Sequence, residues 1–166
     1  MAELTQKERL QPSLLDRLRD DAPEKEQESR DQRVLSLNKL REGVLRDLAW
    51  LLNTSMLDSV QSLEDYPLVS HSVLNYGIPD LVGKTLSGVK VTDIQRQIRQ
   101  AIWDFEPRIL RASLQVKVTA SENKMSQNAM TFDIEGDLWA QPLPLRLYLR
   151  TELDLETGAM DIVDRG

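Results

Sequence analysis

Trp103-Asp104-Phe105-Glu106-Pro107-Arg108-Ile109 is where the chain changes from one backbone period to another. Apolar residues recur at helical spacing before it and alternate at strand spacing after it. Pro107 forces the change. Its ring fixes φ, removes an N–H donor and pushes the preceding Glu106 out of the helical region. Glu106 and Arg108 are two apart, so an extended segment would put an acid and a base on the same side. Two readings of this pair follow from spacing: a helix stop whose charges are solvated or locally paired, worth under about 1 kcal/mol, or a rigid recognition element for a protein partner.

Working upstream, Ile94, Ile98, Ala101, Ile102 and Phe105 form one apolar stripe, which predicts a helix ending at about Phe105 and capped by Thr92-Asp93. Arg96, Arg99, Gln100 and Trp103 lie off that stripe. An Arg beside an exposed Trp is the composition of interface hot spots; the alternative is that Trp103 packs under the preceding loop. A second helix is predicted over residues 34–53. Leu37, Leu40, Val44, Leu45, Leu48, Leu51 and Leu52 line it, Ser36 is a candidate cap, and Asn53-Thr54 can end it. Arg41, Glu42, Arg46 and Asp47 are expected on its wet side. Trp50 falls off the Leu stripe, and Gly43 weakens the helix by up to about 1 kcal/mol unless close packing offsets it.

Downstream of Pro107 the pattern is β. Ala112, Leu114, Val116, Val118 and Ala120 alternate with polar residues, as do Met130, Phe132 and Ile134. A polar loop, 121–128, separates the two runs. After Gln141-Pro142-Leu143-Pro144 come Leu145, Leu147, Leu149, Leu153 and Leu155, then a turn at Thr157-Gly158 and a short last strand with Met160 and Ile162. The expected fold class is α+β: helices packed on one face of an antiparallel sheet of three to four strands, the other face wet, with an N-terminal helical arm. An edge strand of such a sheet can accept a strand from a partner.

Residues 54–91 are broken repeatedly by Pro and Gly, which predicts a long, mostly irregular connection. Asn75-Tyr76-Gly77 reads as a turn with the Tyr76 ring as its anchor. Gly83-Lys84-Thr85 imitates a phosphate loop, but five residues separate Gly77 from Gly83 where four are required, and Pro79 lies between. Nucleotide binding is set aside.

The 166 residues suit one domain, 34–166, with a charged arm and linker at 1–33. In the arm, Leu14, Leu15 and Leu18 make a narrow stripe on a short helix that either folds back on the core or orders on a partner surface. Residues 20–33 read as linker. Hydrophobic content of 40% and charged content of 29% suit a soluble globular protein. The absence of Cys removes disulfides, thiol catalysis and thiolate metal sites. A net charge of −6 argues against a nucleic-acid partner. No apolar run is long enough for direct membrane insertion, and residues 1–10 lack the apolar core of a secretory signal, so a cytoplasmic location is expected.

Chemistry finds little footing. His71 is the single histidine, so a metal centre is not expected and no cofactor is called for. No Ser lies in a nucleophile-elbow signature. A glycosidase needs two carboxylates across a sugar; Glu106 is one candidate, and nothing names the second.

Three blocks in order carry a resemblance: Leu45-Arg46-Asp47-Leu48-Ala49-Trp50-Leu51-Leu52-Asn53-Thr54, then Ser72-Val73-Leu74-Asn75-Tyr76-Gly77-Ile78-Pro79-Asp80-Leu81, then Phe105-Glu106-Pro107-Arg108-Ile109. Together with the early Pro12-Ser13-Leu14-Leu15-Asp16-Arg17-Leu18, they resemble TssE, the small baseplate subunit of bacterial type VI secretion systems, related to the small wedge subunit of contractile-phage baseplates. The similarity runs from about residue 12 to 163. The resemblance implies a structural role joining the wedge proteins TssF, TssG and TssK to the contractile sheath of TssB and TssC, in a cytoplasmic baseplate docked at the inner membrane of a Gram-negative bacterium. It places the family's Glu-Pro-Arg signature on Glu106, Pro107 and Arg108, in contact with baseplate or sheath neighbours, and implies a fold similar to the interlocking domain of the sheath. Relatives labelled lysozyme-like suggest the alternative, a peptidoglycan hydrolase using Glu106.

Overall fold

The structure is a computed structural model and describes residues 13–18, 24, 37–82, 90–120, 129–139 and 144–165. Nearly all of the expected linker at 20–33, the Gly83-Lys84-Thr85 stretch, the 121–128 loop, residues 141–143 and the Ser36 cap lie outside the described residues.

Among the described residues, four helices precede four strands. They are α1 (Leu14–Leu18), α2 (Leu37–Leu52), α3 (Pro67–Ser70) and α4 (Val91–Phe105), then β1 (Gln115–Ala120), β2 (Ala129–Leu138), β3 (Leu145–Asp154) and β4 (Met160–Asp164). Strand order in the antiparallel sheet is β1-β2-β3-β4, a meander in which each strand pairs with its sequence neighbour. The class is α+β, as the period change predicts.

The core lies between the two long helices and one sheet face. From α2 it takes Leu40, Val44, Leu48, Leu51 and Leu52; from α4 it takes Ile94, Ile98, Ala101 and Ile102. The sheet contributes Met130, Phe132, Ile134 and Leu138 from β2 and Leu147, Leu149 and Leu153 from β3. Residues of β2 alternate strictly between buried and half-buried, so its register fixes which face meets the helices. Thr151 is buried on that same apolar face, its hydroxyl donating to Met160 Sδ at 3.8 Å. The opposite face carries cross-strand charge pairs: Arg150 Nε donates to Asp133 at 2.7 Å, with Tyr148 OH adding a bond at 3.3 Å, and Glu135 receives Arg146 at 3.3 Å.

Several boundaries differ from expectation. Residue 91, not 94, opens α4: Lys90 is the cap and makes no side-chain cap bond, while Asp93 sits in the first turn paired with Arg96 at 2.9 Å. A carboxylate inside the first turn still meets the helix dipole favourably. Strand β1 begins at Gln115, since residues 111–113 form a turn closed by Ser113 N–H donating to Leu110 C=O at 3.0 Å.

The connection over its described part, 54–82, is irregular but pinned. It carries α3 and two single-turn 3₁₀ segments, Leu57–Ser59 and Val73–Asn75. Gly77 makes its return possible. With φ at 130°, a Cβ there would stand 2.3 Å from Thr54 O, and the close approach lets Ile78 N–H donate to Thr54 C=O at 2.8 Å and Met56 N–H to Ile78 C=O at 2.9 Å.

Candidate functional site: the Glu-Pro-Arg clasp

Helix α4 ends at Phe105, and Glu106 is its cap, with φ −124° and ψ 75° and its N–H donating to Ile102 C=O at 2.9 Å. Pro107 and Arg108 then form a turn, closed by Ile109 N–H donating to Glu106 C=O at 3.2 Å. The two charged side chains therefore meet through a turn and not, as the sequence suggests, along an extended segment. The chain beyond the turn runs beside the end of β2. Trp139 N–H donates to Arg108 C=O at 2.7 Å, Leu110 N–H donates to Asp137 C=O at 2.9 Å, and Ile109 bridges Leu138. Helix end, turn and sheet hold the segment from three sides.

Glu106 is 3% exposed. Arg108 Nε donates to its Oε1 at 2.6 Å, Arg108 Nη2 donates to its Oε2, and the Arg108 backbone N–H adds a bond to Oε1 at 3.2 Å. The fork is the bidentate geometry in which a guanidinium binds a carboxylate most strongly. Arg108 Nη2 also donates to Asp47 Oδ2 on α2 at 2.5 Å. Arg46 Nε donates to the other Asp47 oxygen at 2.9 Å, and Arg46 Nη1 reaches Asp16 of α1 at 2.5 Å. Five charged groups, three acids and two arginines, thus tie α1, α2 and the end of α4 together.

The electrostatics follow. Burial pulls the Arg108 guanidinium down, but Glu106 and Asp47 outweigh it and hold it well above the ordinary arginine value. The Arg46 hydrogen bond holds the Asp16 carboxyl below its ordinary value against partial desolvation, with Ser13 OH also donating to it at 2.7 Å. Burial raises the Tyr76 hydroxyl, and the charges of Asp47 and Glu106 raise it further. Tyr76 walls the clasp: its ring meets Phe105 edge-on at 5.1 Å, which makes it the anchor expected of the Asn75-Tyr76-Gly77 turn.

Gly43 lies under the clasp. It is buried one turn before Asp47, beneath the Asp16 carboxylate and the Arg108 guanidinium. A Cβ would meet both at ordinary contact distance, so the packing tolerates a methyl there and does not offset the poor helix propensity of glycine. Arg46 and Asp47, expected on the wet side of α2, have side chains only 29% and 25% exposed and belong to the clasp. Spacing along the chain gives no hint of the Asp47–Arg108 contact, which joins residues 61 apart. The available signal is Gly43 at i, Arg46 at i+3 and Asp47 at i+4 on one helix face.

Trp103 stands apart from the clasp. It is half-buried against the core, the Arg99 guanidinium lies 5.3 Å from its ring centre, and Arg111 donates to its backbone carbonyl at 3.0 Å. Its indole N–H is buried and has no acceptor among the described residues. Trp50 is 51% exposed with Arg46 over its ring.

Nothing in the clasp is arranged for hydrolysis. Both Glu106 oxygens are committed to Arg108, and a general acid must face a sugar with a second carboxylate across a gap. Among the described residues no group of three or more His, Asp or Glu could hold a metal ion, and no helix is long and apolar enough to cross a membrane. Fold and site together define a small α+β protein in which five charged groups clasp α1, α2 and the end of α4.

The family model of baseplate wedge protein gp25 matches residues 38–143, well over half of the chain. The chain belongs to that family, and its role is that of a structural, phage-baseplate-like component. No curated protein and no solved structure shows a significant match to the chain.

Proposed function

We propose that this protein is the TssE-type subunit of a type VI secretion baseplate, where it links the wedge proteins TssF, TssG and TssK to the sheath proteins TssB and TssC and supports sheath assembly. The observation that carries the reading is the family membership over residues 38–143. The three ordered sequence blocks narrow it from phage-like baseplates to the secretion system. In this reading the protein works on the cytoplasmic side of the inner membrane of a Gram-negative bacterium.

The sheet supports a strand-exchange role for one of its edges. Strands β1 and β4 are the outer strands of the meander. The start of β4 is already capped, because the Asn53 side-chain amide accepts from Met160 N–H at 2.9 Å and donates to Met160 C=O at 3.0 Å. That leaves β1 as the better template for a partner strand. Since Glu106 faces inward, Arg108 and Pro107 are the members of the signature that remain available for a neighbour, with side-chain exposure of 24% for Arg108.

The test is genetic and visual. In cells that carry the secretion system, removing this protein should abolish extended sheaths seen with fluorescent sheath subunits, and resupplying it should restore them. Normal numbers of sheaths in its absence would refute the role.

A further inference from the structure

Tyr66, Leu68, Val73 and Leu74 are 56, 89, 79 and 67% exposed, all within residues 66–74. Four large, mostly exposed apolar side chains within nine residues are a denser exposure than the singly scattered kind that is ordinary on a folded surface. Hydrogen bonds tie the segment to itself and to its neighbours. Val69 N–H donates to Tyr66 C=O at 2.9 Å and Ser72 N–H to Val69 C=O at 3.0 Å. The buried Asn75 amide accepts from Asp58 N–H at 2.9 Å and donates to Ser70 C=O at 2.9 Å. His71 Nδ1 sits 3.0 Å from Asp104 of α4, which also receives Gln100 Nε2 at 2.9 Å. Polar atoms pin the base of the ridge while its apolar side chains stay outside, so docking would not have to order the segment.

Along the connection itself the formal charge has one sign. From residue 54 to 82 the chain carries Asp58, Glu64, Asp65 and Asp80, all exposed, and no Lys or Arg. A second copy of the same ridge would bring like charges together, whereas a basic segment would be attracted.

We infer that residues 66–74 form a docking ridge for a partner segment with an apolar face flanked by Lys or Arg, of the amphipathic-helix kind. The inference rests on the baseplate reading for the partner's biological setting, and it adds a surface and a chemistry that the clasp does not supply.

The experiment uses the isotope-labelled full chain and two synthetic amphipathic peptides with the same Leu stripe, one flanked by Lys and the other by Glu. The Lys peptide should shift the amide resonances of residues 66–74, the Glu peptide should not, and a Leu68→Ser/Leu74→Ser variant should weaken binding by about tenfold or more. Both positions are solvent-facing, so an unchanged circular dichroism spectrum is expected of the variant. Equal binding of both peptides, shifts confined to other surfaces, unchanged affinity in the variant, or a dimer by light scattering that the variant dissolves would each overturn the proposal. Co-assembly of the wild type with wedge and sheath proteins separates the two claims. If the Lys peptide binds the ridge but no co-assembly occurs, the baseplate reading falls and the ridge stands. If co-assembly occurs but neither peptide touches the ridge, the ridge falls and the baseplate reading stands.

Discussion

Replacing Arg108 with Met should cost far more than losing an ordinary surface ion pair. The guanidinium is the sole described cation on Glu106, and that carboxylate is 3% exposed. Removing one partner of a buried pair costs about 3–5 kcal/mol, because the remaining charge is stranded, against about 0–1 kcal/mol for exposed pairs. Arg108 is itself about a quarter exposed, which places the expected loss near the lower end, about 3 kcal/mol. For a chain of this length that corresponds to a fall in Tm of roughly 6–12 °C. Urea unfolding followed by Trp fluorescence reads the loss directly. The decisive comparison is the double variant Glu106→Gln/Arg108→Met. It carries no stranded carboxylate and should be more stable than Arg108→Met alone by about 1 kcal/mol or more. A single variant within about 0.5 kcal/mol of wild type, or a double variant no better than the single, would refute the clasp as a buried, interdependent unit.

Other substitutions follow from the same structure. At Gly43 a Cβ would lie 3.5 Å from Asp16 Oδ2 and 3.6 Å from Arg108 Nη1, ordinary contact distances, so Gly43→Ala should hold or raise stability by up to about 1 kcal/mol, while Gly43→Leu should displace α1 and speed proteolysis of the arm. Gly77→Ala places its methyl against Thr54 O with φ at 130° and should destabilise by about 1–3 kcal/mol or more in a thermal melt. The Arg150 hydrogen bond holds the Asp133 carboxyl below its ordinary value of 3.8 despite partial burial. A depressed carboxyl adds stability above its unfolded value and loses it as pH falls through the folded one. Asp133→Asn should therefore be less stable than wild type at neutral pH, with the difference closing at pH values below about 4.

Much of this was legible from residue spacing, and the reasons for the rest are local. The Leu and Ile stripes of α2 and α4 reflect burial on one side of a helix, and the alternation in β2 and β3 reflects burial on one side of a strand. Pro107 announces the helix end because its chemistry acts within its own dipeptide. The meeting of Glu106 and Arg108 is also a near-neighbour effect. Asp47 as a partner of Arg108, and Asp16 as a partner of Arg46, were not legible, since those contacts depend on how α1, α2 and α4 pack, and charged residues on an amphipathic helix look solvated whichever way they turn. Thr151 shows the converse: a polar residue in a leucine-rich strand that the β3 register places in the core. The start of α4 is not legible in the sequence because Thr92 and Asp93 have good capping side chains, yet the helix extends past them to Val91 with Lys90 as an unassisted cap. The edge-capping role of Asn53 depends on a contact 107 residues away in sequence.

A structural baseplate subunit must enter a larger assembly. Size exclusion with light scattering, run on the purified chain alone and then with wedge and sheath proteins of the same system, reads this. The 19.0 kDa chain should move into a larger complex of fixed composition. A chain that stays at its own mass with every wedge and sheath protein present would contradict it.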